Sequence, residues 1–315
     1  MREKGRYNRS RDRKNTERGG LVVVDPDFLN QLGNLELIAR KRVSNINVGS
    51  KRSIRTGRGI EVSDHRQYYP GDDFKAIDWR LYGRTERLYI RRFEEEKDLT
   101  THILVDSSSS MDFSVGGMRK FDYAANLAAG FAFLSVKKYE KFGSAMFTKG
   151  IMDIVQPRKG KKHFFRLVEL MDKSNQEGET DLRRSIDEYT KMIKSRSFVI
   201  VLSDFIEPIE SLEHAVFRIA KYSKEAILMQ VLDPGEINLK WREDVNFEDM
   251  ESSKLERTYL SPGFREDYSR KIKDHIYNLQ EICRDAGVDF YSVTSDKALF
   301  DSFIQVIEGR KVKAL

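Results

Sequence analysis

The chain has 315 residues, 39% hydrophobic and 34% charged, which supplies a sizeable core behind a heavily solvated surface. No stretch approaches the roughly 18 apolar residues of a membrane-crossing helix, and the lone Cys283 excludes an internal disulfide framework, so a cytoplasmic chain without a membrane span is expected. Most of the net charge of +6 lies before Gly19, where Arg2, Lys4, Arg6, Arg9, Arg11, Arg13, Lys14 and Arg18 face only Glu3, Asp12 and Glu17.

In chain order, residues 1–19 have almost nothing to bury and read as a disordered basic tail. Phe28, Leu32, Leu35 and Ile38 then recur at helical spacing, predicting a helix from Asp25 to about Val43. After a glycine-punctuated basic loop come a strand, a Pro70-Gly71 turn, a short helix capped near Asp72 or Asp73, and a strand from Arg87 to Phe93. Together these form an N-terminal α+β module over 20–98. Within it Asp72, Asp73 and Asp78 interleave with Arg80, Arg84, Arg87, Arg91 and Arg92, a pattern open to two readings: an ion-pair buttress, or a partner-docking face on Asp72, Asp73, Asp78, Arg80 and Arg84. Phe74, Ile77 and Trp79 favour the first, with this segment packed onto a sheet.

From 99 to 315 the pattern becomes buried apolar strands alternating with amphipathic helices, which predicts a doubly wound, mainly parallel α/β sheet. The strand runs are Ile103–Val105, Phe198–Leu202, Ala226–Leu232 and Val288–Val293, with a strand pair around Lys149-Gly150. Phe121, Ala125, Ala128, Phe131 and Ala132 mark one helix core face, and Leu182, Ile186, Tyr189 and Ile193 another. A β-hairpin at about 245–260, turning at Ser252-Ser253, interrupts the alternation. Cys283 falls on the apolar face of the helix after it and reads as core.

Two strands end in carboxylates. Asp106 closes ILV and is followed by hydroxyls at Ser108 and Ser110, and Asp204 closes FVIVL-Ser203. Thr180 stands in the loop before a helix. The carboxyl ends of parallel strands are where ligands bind, and two carboxylates with three hydroxyls make an oxygen-only set suited to Mg2+ or Mn2+ rather than zinc.

The D-x-S-x-S, threonine, aspartate arrangement resembles the metal-ion-dependent adhesion site of von Willebrand factor A domains. The resemblance implies that Asp106, Ser108, Ser110, Thr180 and Asp204 surround one divalent cation, with an acidic side chain of a partner completing its shell. YPGDDFKAIDWRLYGR, LYIRRFEEE, the strand into DSSSSM and the VNFEDMESSKLERTYL hairpin resemble the family known as domain of unknown function 58, over roughly Leu32 to Ile307. That resemblance implies association with MoxR-type AAA+ ATPases, and a chain of the short type that lacks the membrane helices of long members.

The expected function is a non-enzymatic, metal-dependent protein-binding adaptor. An Mg-dependent hydrolase of phosphate esters is the main alternative, but the second aspartate it needs is replaced by Ser108. No H-E-x-x-H, P-loop or G-x-G-x-x-G accompanies the site, and His65, His102, His163, His214 and His275 lack ligand spacing. Nucleic-acid binding through the tail and through Arg158, Lys159, Lys161 and Lys162 is a third reading, without interleaved aromatics.

Overall fold

A computed structural model describes residues 24–34, 62–93, 99–115, 117–193, 197–237, 244–248, 255–259 and 261–313. The basic tail, the continuation of the first helix beyond 34 and the turn of the predicted hairpin lie outside them.

Residues 26–34 form helix α1. An antiparallel ribbon follows, β1 (Val62–Gln67) and β2 (Tyr89–Phe93), paired in the register His65↔Arg91 and Gln67↔Tyr89. The expected Pro70-Gly71 turn is present, with Gly71 at φ 108°, a backbone state open to glycine. One short helix was expected in the link, and two are found. A 3-10 turn at Phe74–Ala76 is capped by Asp73, and helix α2 (Trp79–Thr85) is capped by Asp78, which accepts from the Arg80 and Leu81 amides.

This second helix overturns the expected packing of the segment. Ile77 bridges to Ile90 and is fully buried, taking the inward place. Trp79 then falls on the first position of α2 and Phe74 on the 3-10 turn, leaving them 60% and 64% exposed instead of packed onto the sheet.

The large sheet contains β3 (Thr100–Asp106), β4 (Lys141–Phe147), β5 (Ile151–Arg158), β6 (Ser197–Ser203), β7 (Glu225–Leu232) and β10 (Asp289–Thr294) in the order β10-β7-β6-β3-β4-β5. Every pairing is parallel except β4 with β5, the pair expected around Lys149-Gly150. The predicted hairpin is present as β8 (Asp244–Glu248) against β9 (Leu255–Tyr259), a separate antiparallel ribbon. The sheet connections carry α3 (Lys120–Lys137), α4 (Lys161–Asp172), α5 (Leu182–Thr190), α6 (Ile209–Tyr222), the single turn α7 (Pro234–Ile237), α8 (Pro262–Ala286) and the closing α9 (Leu299–Lys313). This is the doubly wound, mainly parallel α/β class expected.

Side-chain alternation along β3 and β6 sends residues into two helical layers. Ile103, Val105, Ile200 and Leu202 meet α3, α4 and α9, while Leu104, Val199 and Val201 meet α5, α6 and α8. Each such aliphatic side chain contributes about 1.5–3 kcal/mol on full burial. Helix α1, placed by sequence in the 20–98 module, joins the first layer through Phe28 and Leu32. Gly130 of α3 admits the close approach, since a Cβ there would lie 2.8 Å from Phe303 and 3.1 Å from Phe28. Cys283 is buried in the second layer, and burial pushes its thiol up to about 12, as fits core packing rather than a nucleophile. Among the described residues no helix is long and apolar enough to cross a membrane.

Candidate functional site

The chain leaves β3 towards β4 on one side and later returns to β6 on the other, so the edge between the carboxyl ends of β3 and β6 is a topological switch point. Asp106 ends β3, and Asp204 follows the last residue of β6. Both strands are buried along their whole length, which fixes the two carboxylates in position.

The loop after β3 is tied to the loop before α5 by backbone bonds from Ser109 N to Gly178 O (2.9 Å) and from Glu177 N to Ser107 O (3.2 Å). These bring Thr180 over the strand end. Asp181, not Thr180, caps α5 by accepting from the Arg184 amide. Thr180 Oγ1 instead donates to Asp106 Oδ2 at 3.4 Å.

Asp106 is fully buried. Its Oδ1 accepts from the Ser108 amide at 2.9 Å and its Oδ2 from Ser203 Oγ at 2.6 Å. Ser108 Oγ and Ser110 Oγ lie 3.1 Å apart, and Ser110 acts with Lys120 to lower the Asp204 carboxyl. Asp106, Ser108, Ser110 and Thr180 therefore meet in one chain of contacts, and Asp204 stands close enough for its charge to act on Asp106. Ser203 also accepts from the Phe205 amide at 3.0 Å, and Phe205 sits at φ 50°, a left-handed state costly for a bulky residue.

The surroundings add a group that no sequence pattern marked. Lys120, the first residue of α3, is completely buried, and its Nζ donates to Asp204 Oδ2 at 2.8 Å and to Glu236 Oε1 at 2.6 Å. Glu236 on α7 is held by the Asp233 amide, which its Oε2 accepts at 2.9 Å.

Electrostatics at this edge are uneven. Burial, reinforced by the charge of Asp204, pushes the Asp106 carboxyl up to about 7. Burial acts on Asp204 in the same sense, but the Lys120 charge and hydrogen bond outweigh it and hold that carboxyl below its ordinary value. Lys120 is shifted upward because Asp204 and Glu236 together overcome its desolvation. Glu207, which accepts from the Leu182 amide at 3.1 and 3.2 Å, is raised to about 7 mainly by burial.

The donor set is carboxylate and hydroxyl oxygen alone, with neighbouring donors 3.1 and 3.4 Å apart, which fits a small hard dication. Among the described residues no group of three or more His, Cys, Asp or Glu is arranged to hold a metal. Beside Thr180 a cleft of about 380 Å³ opens, lined among others by Lys149, Arg183, Glu207 and Ser211.

The five candidate partner-binding residues in the N-terminal module divide by role. Asp72 accepts from the Arg66 guanidinium at 2.9 and 2.6 Å and from the Tyr69 amide at 2.9 Å. Asp73 and Asp78 cap helical turns, and Asp78 also bonds His65 at 3.0 Å. The three acids thus hold the module together, while Arg80 and Arg84 lie exposed on α2.

A family model described as a protein of unknown function, DUF58, matches residues 64–278. Uncharacterized proteins of Mycobacterium tuberculosis and Mycobacterium bovis are each 26% identical over 296 residues, covering 93% of this chain and 93% of theirs. Among solved structures, the conserved hypothetical protein BatB of Bacteroides thetaiotaomicron aligns with 69% of this chain and all of its own at 14% identity, with a TM-score of 0.44. The SpRpn10 VWA domain aligns with 66% of this chain and 94% of its own at 10% identity, with a TM-score of 0.43.

Proposed function

We propose, for a chain that belongs to the DUF58 family, that it works as a protein-binding adaptor whose strand-end edge holds one Mg2+ or Mn2+ on Asp106, Ser108, Ser110, Thr180 and Asp204. The observation that carries this reading is the convergence of a fully buried Asp106 with the hydroxyls of Thr180 and Ser203 and of Ser108 with Ser110, at a switch point of the sheet. When bound, the cation supplies positive charge to an edge where burial and mutual repulsion disfavour two carboxylates. Held there by these five residues, it would attract an acidic side chain of a partner to the edge.

This chain's own residues do the rest. Ser203 and the Ser108 amide orient Asp106, Lys120 fixes Asp204, and the Ser109–Gly178 backbone bond holds Thr180 in place. The cleft beside Thr180 is the approach for the partner's side chain. The partner in this proposal is a MoxR-type AAA+ ATPase.

Two measurements test it. Free Mg2+ at about a hundred times its dissociation constant should stabilise the chain by about 2.7 kcal/mol, raising Tm, and Asp106→Ala should abolish the increment. Association with the ATPase should weaken in EDTA and in Asp106→Ala. Equal affinity under all these conditions would remove the cation from the contact, and hydrolysis of a phosphate ester lost in Asp106→Ala would replace the adaptor with an enzyme.

A further inference from the structure

Between Tyr69 and Arg87 the link between β1 and β2 presents rings to solvent. Tyr69, Phe74, Trp79 and Tyr82 are 63%, 64%, 60% and 42% exposed. Such a concentration on one short segment marks an interaction surface rather than scattered surface apolarity. The charges beside the rings are equal in number, Lys75, Arg80, Arg84 and Arg87 against Asp72, Asp73, Asp78 and Glu86, but two of the acids are engaged by other side chains. Asp72 is taken up by Arg66 and the Tyr69 amide, and Asp78 by the α2 cap and His65. Among the described residues no carboxylate lies within ion-pair distance of Lys75, Arg80, Arg84 or Arg87, and Arg80 and Arg84 stand one helical turn apart on α2.

We infer that this face of the module is a docking surface for an acidic segment, carrying apolar side chains, of a protein partner. Its carboxylates meet Arg80, Arg84 and Arg87 while its apolar side chains cover Trp79, Tyr82 and Phe74, the residue mixture of energetic centres in protein interfaces. The ring geometry disfavours a nucleic acid. Trp79 meets Tyr82 edge-on at 6.1 Å and 84°, and Phe74 leans on Tyr68 at 5.5 Å and 39°, so these rings are engaged with each other rather than laid out as parallel stacking platforms. Asp73 and Glu86 lie within the segment and oppose a continuous phosphate backbone, whereas a peptide can place its acids between them.

The surface lies on other elements than the strand-end edge and does not depend on a cation there. The probe is a short fluorescent peptide in which glutamate alternates with leucine, titrated with the full chain and followed by anisotropy, beside its glutamine counterpart and an oligothymidine. Sedimentation of the chain alone reports self-association. Binding of the glutamate peptide is expected to weaken with salt. Trp79→Ala should raise its Kd about tenfold, and Arg80→Glu with Arg84→Glu should remove binding. Arg80→Lys with Arg84→Lys should keep most of it, and EDTA or Asp106→Ala should change nothing. All of these residues are exposed, so Tm checks folding, and Arg84→Glu alone supplies the readout should the double reversal unfold. The inference is overturned by no binding of the glutamate peptide, equal binding of the glutamine peptide, tighter binding of oligothymidine, self-association lost in Trp79→Ala, or loss in Asp106→Ala. The last result would assign the peptide to the strand-end edge instead.

Discussion

At the end of β3 and β6, Asp106, Lys120 and Asp204 are 0%, 0% and 3% exposed, whereas Phe74 and Trp79 in the β1–β2 module keep 64% and 60% of their surface in water. One region buries charge and the other exposes rings, and each arrangement costs stability that ordinary packing would have kept. The two differ in what holds them. The buried charges are compensated within the fold by Lys120, Ser203 and the Ser108 amide. The rings stay largely in water, Trp79 against Tyr82 and Phe74 against Tyr68. Departures of opposite kind at two separate places are what a protein with two contact surfaces would show.

The largest expected effect breaks the first half of this comparison. Lys120→Met removes the cation between Asp204 and Glu236 and leaves two carboxylates in a buried pocket, at a cost of about 3–5 kcal/mol. A fall in the urea midpoint would measure it. Adding Asp204→Asn should return part of the loss, because the partner charge goes with it. Mg2+ should stabilise Lys120→Met more than the unaltered chain, since the added dication meets an uncompensated Asp204. A loss below about 1 kcal/mol would place Lys120 in a solvated setting and undo the contrast.

Lys120 also shows what the sequence concealed. Buried parallel strands read as unbroken apolar runs ending in an acid, so β3, β6, Asp106 and Asp204 were legible from ILV-Asp and FVIVL-Ser-Asp. Ser108, Ser110 and Thr180 were legible by spacing together with the family resemblance. Lys120 lies 84 residues from Asp204, and a lysine opening a helix ordinarily reads as solvated. Its second partner, Glu236, sits on a four-residue helix too short to show a period. The module was misjudged for a related reason. Trp79 and Phe74 count as core by composition, but a seven-residue helix whose inward place is taken by the preceding Ile77 has no further inner face to offer them.

A smaller effect separates the buried sheet from its charged edge. His102 in the middle of β3 shares a 2.9 Å bond with the Tyr189 hydroxyl, and burial pulls its imidazole down to about 4. The unfolded chain, with an ordinary value near 6.5, takes up a proton first as the pH falls. The contribution of this residue is therefore intact above about pH 6.5 and is lost progressively towards pH 4, amounting to about 3 kcal/mol below both values. His102→Gln keeps a polar partner for Tyr189 and does not titrate. The stability difference between the two chains should therefore shift by that amount in favour of the variant on going from about pH 7 to about pH 4. A constant difference across this range would mean that His102 is protonated inside the fold.

The smallest expected effect concerns the rings, and it sharpens the comparison because it predicts almost nothing where composition predicts much. A core tryptophan or phenylalanine costs about 3–5 kcal/mol on truncation, through lost transfer energy and the cavity left behind. Trp79 and Phe74 have more than half of their surface in water already, and neither fills the place that Ile77 occupies. Trp79→Ser and Phe74→Ser remove little buried area. They leave the Asp73 and Asp78 caps intact, since those use the backbone amides of Lys75, Arg80 and Leu81. Each should shift the unfolding free energy by no more than about 0.5 kcal/mol, within the range of ordinary surface changes. Urea unfolding of the single variants, with Asp106→Ala alongside, checks both regions in one experiment, because the Mg2+ increment should persist in the ring variants and vanish in Asp106→Ala. A loss above about 2 kcal/mol from either ring would mean that it is packed within the chain itself, and the case for an outside partner on that face would fall with it.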